Sequence, residues 1–273
     1  MTLYVYCDER YPTSWIRRDV VKQIVRYLEE RGFTVIDANE LGKVVSNGIS
    51  NPREKITIVF AQDVIPAILL DNPSKPTANS PIRKFLNVGH TIVWLGDVPL
   101  IYVGFDNGQR APITDAYRTV LGIPPVTSNI RNRVTLTQFG FLFGLPVWIG
   151  SRPHELTSSE HPKVTSLAYS LHQSRRVNHA FVANYTGDYL RSGFIRIYDF
   201  PMNELLPREY LEALYRIATF RDPIGVMWVK LVSLEKVLRE IKELVETRFS
   251  TVKNELDNLE KLIKKVLNVP ETE

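Results

Sequence analysis

The chain has 273 residues, of which 44% are hydrophobic and 23% are charged, so it can bury a sizeable core without metals or disulfide bonds. Its single cysteine, Cys7, excludes an internal disulfide and favours a reducing compartment. The formal net charge of +4 is a mild excess, and the basic residues form only short runs, so binding of nucleic acid through a concentrated basic face is not favoured.

Targeting and cofactor signals are missing from the sequence. No window of 18 apolar residues predicts a membrane-spanning helix, and the first residues lack the basic and apolar regions of a signal peptide. We therefore expect a cytoplasmic protein, and the Ile, Val, Glu, Lys and Arg content suits a thermophilic source. Neither glycine-rich phosphate loop motif occurs, and no histidine pair has i, i+4 spacing, so no cofactor and no metal are predicted.

The first hundred residues alternate between strand and helix patterns. Continuous apolar runs at 3–7, 33–36, 56–60 and 91–95 are typical of strands that are buried on both faces. Residues 15–31 form an amphipathic pattern with apolar positions every four residues. This alternation predicts a flavodoxin-like α/β fold, in which a mostly parallel sheet carries helices on both faces.

The stretch from Pro81 to Pro99 organises this half of the chain. It predicts a short helix, a glycine turn, a buried strand, and a Gly-Asp pair where the strand ends. Further strand patterns at 177–184 and 194–198 and a helix at 206–220 indicate that the second half completes the same domain. We therefore predict one α/β domain over residues 1–222.

Residues 223–273 have a different pattern, in which apolar residues follow one another at steps of four and three. The steps alternate except for one extra step of four around Phe249, which is a stutter. This repeat predicts a long coiled-coil helix that assembles a homo-oligomer or binds a partner helix. The predicted interface residues are Met227, Leu231, Leu234, Leu238, Ile241, Val245, Phe249, Val252, Leu256, Leu259, Ile263 and Val266.

Polar side chains follow the predicted parallel strands, at the edge of the sheet where ligands bind in such folds. A set of seven residues is the predicted ligand-binding group: Asp8, Glu9, Arg10, Gln62, Asp63, Asp97 and His154. If the protein is an enzyme, Asp8, Glu9, Asp63 and Asp97 are the candidate acid and base residues. The alternative interpretation is that each carboxylate caps a following helix or lies in solvent.

The segments LYVYCDE (3–9), ITIVFAQD (56–63) and IRKFLNVGHTIVWLGD (82–97) resemble the class I glutamine amidotransferase-like superfamily, especially its ThuA-like branch and the trimerisation domains of some β-galactosidases. Gly89 and His90 stand at the position of a Gly-Gly pair in that family. The nucleophilic cysteine elbow and the later His-x-Glu pair have no counterpart here. The resemblance implies the fold without the activity, since members that lack the triad serve as binding or assembly modules.

Three functions remain open from the sequence. The favoured one is a non-catalytic scaffold or binding module that assembles through the coiled coil. A hydrolase or carbohydrate-processing enzyme with an acidic pocket is the first alternative. Nucleic-acid binding through Arg131, Arg133, Arg175 and Arg176 is the second.

Overall fold

A computed structural model of the chain divides it into two units, Met1–Pro223 and Ile224–Glu273. The residues that it describes are 1–127, 130–155, 164–186, 192–219 and 223–266, with the side chains of 223–237 and 266 excepted. The predicted interface side chains of Met227, Leu231, Leu234 and Val266 lie outside this description, as do residues 267–273.

The first unit mixes strands and helices throughout. Its strands in the described ranges are β1 Thr2–Tyr6, β2 Thr34–Ile36, β3 Ile56–Phe60, β4 Ile65–Pro66, β5 Thr91–Leu95, β6 Tyr102–Gly104, β7 Arg110–Pro112, β8 Asn132–Arg133, β9 Thr135–Leu136, β10 Ile149–Gly150, β11 His154–Glu155, β12 Val164–His172, β13 Arg175–Ala183 and β14 Gly193–Ile197. Its helices there are α1 Arg18–Glu29, α2 Ala38–Ser50, α3 Pro81–Asn87, α4 Ala116–Thr119, α5 Gln138–Leu142 and α6 Arg208–Thr219.

The central sheet has the strand order β2-β1-β3-β5-β14-β13-β12-β9, with β11 paired to β13. The first five strands are parallel, which confirms the predicted α/β class with a largely parallel central sheet. From β14 onward the neighbours are antiparallel, and this extension was not predicted. It arises because β12 and β13 are joined by a tight hairpin at Gln173 and Ser174, both with positive φ.

Helices cover both faces of the parallel strands. One core packs α1 and α6 against Val5, Val59 and Val93, and the other packs α2 and α3 against Tyr6 and Phe60. Neighbouring residues of each strand thus enter different cores, as the period of two along a strand requires. This double burial explains why these strands are continuous apolar runs rather than alternating ones.

Local signals account for where the helices begin. The predicted helix from residue 15 begins at Arg18 instead, because the backbone N–H groups of Ser14 and Trp15 donate to Asp63. Helix α2 runs from Ala38 to Ser50, and the Asp37 and Glu40 side chains form a capping box at its start.

The described part of the second unit is helical: helix α7, Pro223–Val266, has 44 residues and begins at the last residue of the first unit. Every residue from 238 to 265 is exposed in the single chain. No helix in the described ranges is both long and apolar enough to cross a membrane. Large apolar side chains recur along one side of this exposed helix.

Candidate functional site

The side chain of Gln62 joins the end of β3 to the loop that follows β1. It is fully buried, and its Oε1 accepts a hydrogen bond from the backbone N–H of Asp8 at 2.6 Å. Its Nε2 donates to the carbonyl oxygens of Asp8 and Tyr11, at 3.1 and 3.2 Å. Because a buried amide requires such partners, Gln62 fixes the path of residues 8–11 at this edge of the sheet.

Asp8 is buried, and both of its carboxylate oxygens accept hydrogen bonds. Oδ1 accepts from the backbone N–H and Nε of Arg10, and Oδ2 accepts from Arg10 Nη2 at 2.6 Å and from the backbone N–H of Ala38 at 3.1 Å. Burial alone would raise the pKa of Asp8, but the hydrogen bonds from Arg10 and Ala38 lower it below its ordinary value. Glu9 is exposed, and its Oε1 lies 3.3 Å from Lys22 Nζ. Asp8 and Arg10 therefore anchor the start of α2, and Glu9 is not part of this arrangement.

Asp63 lies at the end of β3 and is almost fully buried. Its Oδ1 accepts from the backbone N–H of Ser14 at 2.8 Å, and its Oδ2 accepts from the backbone N–H groups of Trp15 and Asp97 at 2.7 and 3.3 Å. Burial raises the pKa of Asp63 despite these three donors. The carboxyl group holds the loop after β1 against the end of β5.

Asp97 lies beside Asp63 and is also buried. Its Oδ2 accepts from the Ser14 hydroxyl at 3.0 Å, and its Oδ1 accepts from the backbone N–H of Val98 and from Arg152 Nη1, both at 2.7 Å. The Arg152 guanidinium stacks on the ring of Trp15, with its Cζ 4.4 Å from the ring centre. All carboxylate oxygens of Asp8, Asp63 and Asp97 thus have donors within the protein.

We name Asp8, Gln62, Asp63 and Asp97 the strand-end cluster. The structure brings Asp63 and Asp97 into contact and places Asp8 and Gln62 at the neighbouring strand ends, as the parallel topology predicts. No three His, Cys, Asp or Glu side chains in the described part of the chain are grouped so that they could hold a metal ion.

His154 lies apart from the strand-end cluster, on β11. Its Nδ1 is 2.6 Å from the Pro124 carbonyl oxygen, and its ring contacts Tyr117 and Phe181 edge-on. Burial and the nearby Arg196 guanidinium hold the pKa of His154 well below its ordinary value, so the ring is neutral and its Nδ1–H donates.

Arg196 is a fully buried cation that the sequence patterns did not single out. It continues the row of facing residues Tyr6, Phe60 and Trp94 across the parallel strands. Its Nη1 donates to the Arg152 carbonyl oxygen at 2.7 Å, whereas Nε and Nη2 have no hydrogen-bond partner among the described residues. Burial lowers the pKa of Arg196, which Asp199 and Asp97 partly offset.

A second set of polar residues, the Ser–His–Asp relay, consists of Ser170 on β12, His179 on β13 and Asp199 after β14. Ser170 Oγ lies 2.8 Å from His179 Nε2, and His179 Nδ1 lies 2.7 Å from Asp199 Oδ2. All three are buried. Asp199 also accepts from Trp148 Nε1 at 2.9 Å and from the backbone N–H of Arg152 at 3.2 Å, so it fixes the loop after β10.

A cavity of about 720 Å³ opens beside this relay, between the β8–β10 ribbon and the start of α6. We name it the arginine cavity, and it is lined by Arg131, Arg133, Val147, Trp148, Ile149, Gly150, Ser151, Phe200, Pro201, Asn203 and Tyr210. Gly150 separates it from the relay, because a Cβ at this position would lie 2.0 Å from His179 Nδ1 and 2.7 Å from Asp199 Oδ1. Only a glycine fits between the cavity and the buried side chains of His179 and Asp199.

The four arginines named for nucleic-acid binding separate into two places. Arg131 and Arg133 line the arginine cavity, whereas Arg175 and Arg176 begin β13 and do not line it. Arg176 covers the ring of Tyr169, with its Cζ 3.8 Å from the ring centre.

Sequence reasoning missed Asp199 and the cavity residues other than Arg131 and Arg133. One signal was present for Asp199, which follows the end of β14 in the same way that Asp97 follows the end of β5. No local pattern connects Arg131 to Tyr210, because they meet only through tertiary contacts.

Comparisons with known proteins bear on the whole chain. The model of the MJECL34 family matches residues 1–222. A relative from Methanocaldococcus jannaschii, named "Uncharacterized protein MJECL34", is 38% identical over 272 residues, which cover 98% of this chain and 90% of the relative. No solved structure matches the chain.

Proposed function

We propose that this chain, which belongs to the MJECL34 family, is a non-catalytic binding module that assembles with copies of itself through its C-terminal helix. The observation that carries the proposal is an apolar stripe on α7 whose side chains are each more than half exposed in the single chain. The described members of this apolar stripe are Leu238, Ile241, Leu244, Val245, Phe249, Val252, Leu256, Leu259, Leu262 and Ile263.

The length and regularity of the apolar stripe support assembly. A helix of 44 residues is about 66 Å long at 1.5 Å per residue. A helix gains most of its stability from packing an apolar face, and an apolar surface of this size on a protein marks an interaction site. Leu244 and Leu262 widen the stripe beyond the two positions per heptad of a narrow dimer seam.

The charges of α7 favour a second copy over a strongly charged partner. Residues 238–265 carry six acidic and seven basic side chains, so the helix has almost no net charge. Two i, i+4 ion pairs, Lys242–Glu246 and Glu260–Lys264, are satisfied within the helix itself. Electrostatic complementarity therefore selects neither an acidic nor a basic partner.

Native mass measurement on three full-length proteins tests the proposal. The wild type is compared with Leu256→Glu/Leu259→Glu, which places two charges in the apolar stripe. The matched control is Asn254→Glu/Asn258→Glu, which adds the same charge away from it. We expect a multiple of 31.4 kDa for the wild type and the control, and 31.4 kDa for the stripe variant.

A monomeric wild type at micromolar concentration would overturn the proposal. So would a multimer of the same mass for all three proteins, because assembly would then lie elsewhere. If the wild type gains mass only when isolated from its own cells with another protein, the apolar stripe binds a partner helix and self-assembly is wrong.

The flavodoxin-like and amidotransferase-like assignment of the α/β unit is also proposed. Its parallel strands follow the order second, first, third, fourth, fifth, which is the flavodoxin-like order. The position after β5, where a nucleophile would be required, holds Gly96 at a φ of +78° and the hydrogen-bonded Asp97. We expect no release of ammonia from glutamine by the purified protein, and measurable glutaminase activity would contradict the assignment of a fold without the triad.

A second candidate function is ester or amide hydrolysis by the Ser–His–Asp relay. The distances of 2.8 and 2.7 Å match a serine nucleophile, a histidine base and an orienting carboxylate. As Ser170 Oγ attacks a carbonyl carbon, its proton passes to His179 Nε2 and then to the leaving group. Water subsequently attacks the acyl-serine, gives its proton to His179 and releases the acid and Ser170.

Labelling with a fluorophosphonate probe distinguishes this candidate from a structural role. If the relay is catalytic, the wild type is labelled, Ser170→Ala is not, and Ser166→Ala on the same strand still is. The absence of label on the folded wild type would leave the relay as a buried hydrogen-bond chain that fixes β12, β13 and the loop after β10.

A further inference from the structure

We propose that the arginine cavity binds a small anionic ligand that carries a planar ring, of the chemical class of a nucleoside monophosphate. The site lies wholly in the α/β unit, so the inference does not rest on assembly through α7. It goes beyond the proposed scaffold function, because it assigns a ligand class to a cavity that is separate from the strand-end cluster.

The anionic part of the ligand is inferred from Arg131 and Arg133. Arg131 directly precedes β8 and Arg133 lies in it, and both line the cavity, whereas the Asn132 side chain between them donates to the Leu171 carbonyl oxygen. Neither guanidinium group has a hydrogen bond or ion pair with another described residue. None of the described lining residues is acidic, so the cavity presents two uncompensated positive charges.

The guanidinium groups suit a phosphate better than a single point charge would. Each presents a planar fork of donors that matches two oxygens of a phosphate or carboxylate. Two such forks in one cavity can engage a dianionic group from different sides, which favours a phosphate over a monoanionic carboxylate. The exposure of both side chains in the absence of a partner leaves these donors accessible.

The planar ring of the ligand is inferred from the aromatic wall of the cavity, which Phe200 and Tyr210 form. Phe200 and Tyr210 meet edge-on with ring centres 6.1 Å apart, and Tyr198 packs against both. Tyr210 Oη also donates to the Val147 carbonyl oxygen at 3.2 Å, which ties α6 to the segment that precedes β10. This wall is therefore held in place before a ligand arrives, and it offers aromatic surface for stacking.

Size and polar groups favour a small molecule over a nucleic-acid strand. A volume of about 720 Å³ falls within the ~300–1,000 Å³ range of small-molecule sites. The amide of Asn203 and the hydroxyl of Ser151 also line the cavity, and such neutral groups can form hydrogen bonds with the edge of a heterocycle. A single-stranded chain would need a continuous basic groove with repeated aromatic platforms.

Isothermal titration of the full-length protein at low ionic strength tests the inference. The probes are AMP, GMP, CMP and UMP, each compared with its nucleoside, with inorganic phosphate and with a single-stranded oligonucleotide. The test variant is Arg131→Gln/Arg133→Gln. The matched control is Arg53→Gln/Arg175→Gln, which removes two exposed arginines that do not line the cavity.

We expect at least one monophosphate to bind more tightly than its nucleoside and than inorganic phosphate. The test variant should bind it at least tenfold more weakly, and the control within about twofold of the wild type. The inference is overturned if no monophosphate binds at 1 mM, if phosphate alone binds as tightly, if only the oligonucleotide binds, or if both variants lose affinity equally. Because native mass is measured separately, failure here leaves the assembly proposal standing.

Discussion

Two groups of charged side chains in the α/β unit differ in how their charges are satisfied. At the strand ends, the carboxylate oxygens of Asp8, Asp63 and Asp97 all accept hydrogen bonds from the protein. In the arginine cavity, the guanidinium groups of Arg131 and Arg133 have no partner among the described residues. The first group is built into the fold, and the second is available to a ligand.

The cost of burying charge explains this difference. A buried carboxylate is tolerated only when donors replace the water that it loses, so these acids determine the conformation of the loops that supply the donors. A ligand that bound Asp63 would have to displace the backbone of Ser14 and Trp15. Acids that lie close together at strand ends therefore do not by themselves form a ligand-binding site. Their carboxylate oxygens must also be free of hydrogen-bond donors from the protein.

Asp63→Ala should give the largest loss of stability. It removes the acceptor for three buried backbone N–H groups. We therefore expect the free energy of unfolding, measured by urea denaturation, to fall by about 3 kcal/mol or more. Glu9→Ala, at an exposed acid of the same edge, is the control and should change stability by less than about 0.5 kcal/mol. A loss below about 1 kcal/mol for Asp63→Ala would mean that Asp63 does not organise the loop.

Gly150→Ala should have the next largest effect, because it tests the wall between the cavity and the relay. The new Cβ would lie 2.0 Å from His179 Nδ1, and relief requires movement of the ribbon or of the buried imidazole. We expect a loss of about 2–3 kcal/mol. Gly42→Ala is the control, since its Cβ meets only the flexible end of Ile68 and alanine favours the helix.

A result for Gly150→Ala within about 0.5 kcal/mol of the wild type would contradict this geometry. The ribbon would then lie further from His179 than it does in the structure, and Gly150 would not form the wall between the arginine cavity and the relay.

The parallel half of the sheet was predictable from sequence because its signals are local. Continuous apolar runs predicted β1, β3 and β5, and the parallel topology placed Asp63 and Asp97 at the same edge of the sheet. Whether their carboxylates would converge was not predictable. What each carboxylate binds was not predictable, because the donors come from Ser14, Trp15 and the distant Arg152. The alternative interpretation of these acids as caps applies to Asp8, which accepts from the start of α2.

The ribbon of β8 and β10 was less predictable because its two strands are short and its contacts are long-range. The sequence singled out Arg131 and Arg133 only for their charge, whereas in the structure Arg133 lies opposite Ile149 in a two-residue ribbon. Two residues carry no periodicity from which a strand could be recognised. The aromatic wall of the cavity comes from Phe200 and Tyr210, which are distant in sequence from Arg131 and Arg133. The cavity is therefore recognisable only in the folded structure.

Acid should weaken the fold through Asp8, and this distinguishes it from the cavity charges. The folded-state pKa of Asp8 lies below its ordinary value of 3.8, so its contribution is present above that value and is lost as the pH falls through the folded pKa. Asp8→Asn should cost about 1–2 kcal/mol at pH 7, because it breaks a charge-assisted contact with Arg10. It should also lose less stability than the wild type between pH 5 and pH 3, as urea midpoints would show. An identical pH dependence would contradict this assignment.

Protonation of His154 should cause a smaller loss of stability, at a higher pH than the loss through Asp8. Its folded-state pKa lies well below the ordinary value of 6.5, so protonation favours the unfolded chain and stability falls as the pH drops below about 6.5. The pKa of His90 is also lowered by burial, so it contributes with the same sign. Between pH 7.5 and 5.5 the urea midpoint of His154→Gln should therefore fall less than that of the wild type.

The smallest expected effect is the most informative about the comparison between the two groups. Because Arg131 and Arg133 donate to no described residue, Arg131→Gln/Arg133→Gln should change the unfolding free energy of the ligand-free protein by less than about 0.5 kcal/mol. A loss above about 1 kcal/mol would show that these arginines hold the ribbon in place, as the strand-end acids hold their loops. An unchanged stability together with lost ligand affinity would mean that the two charges serve binding alone, since the fold does not need them.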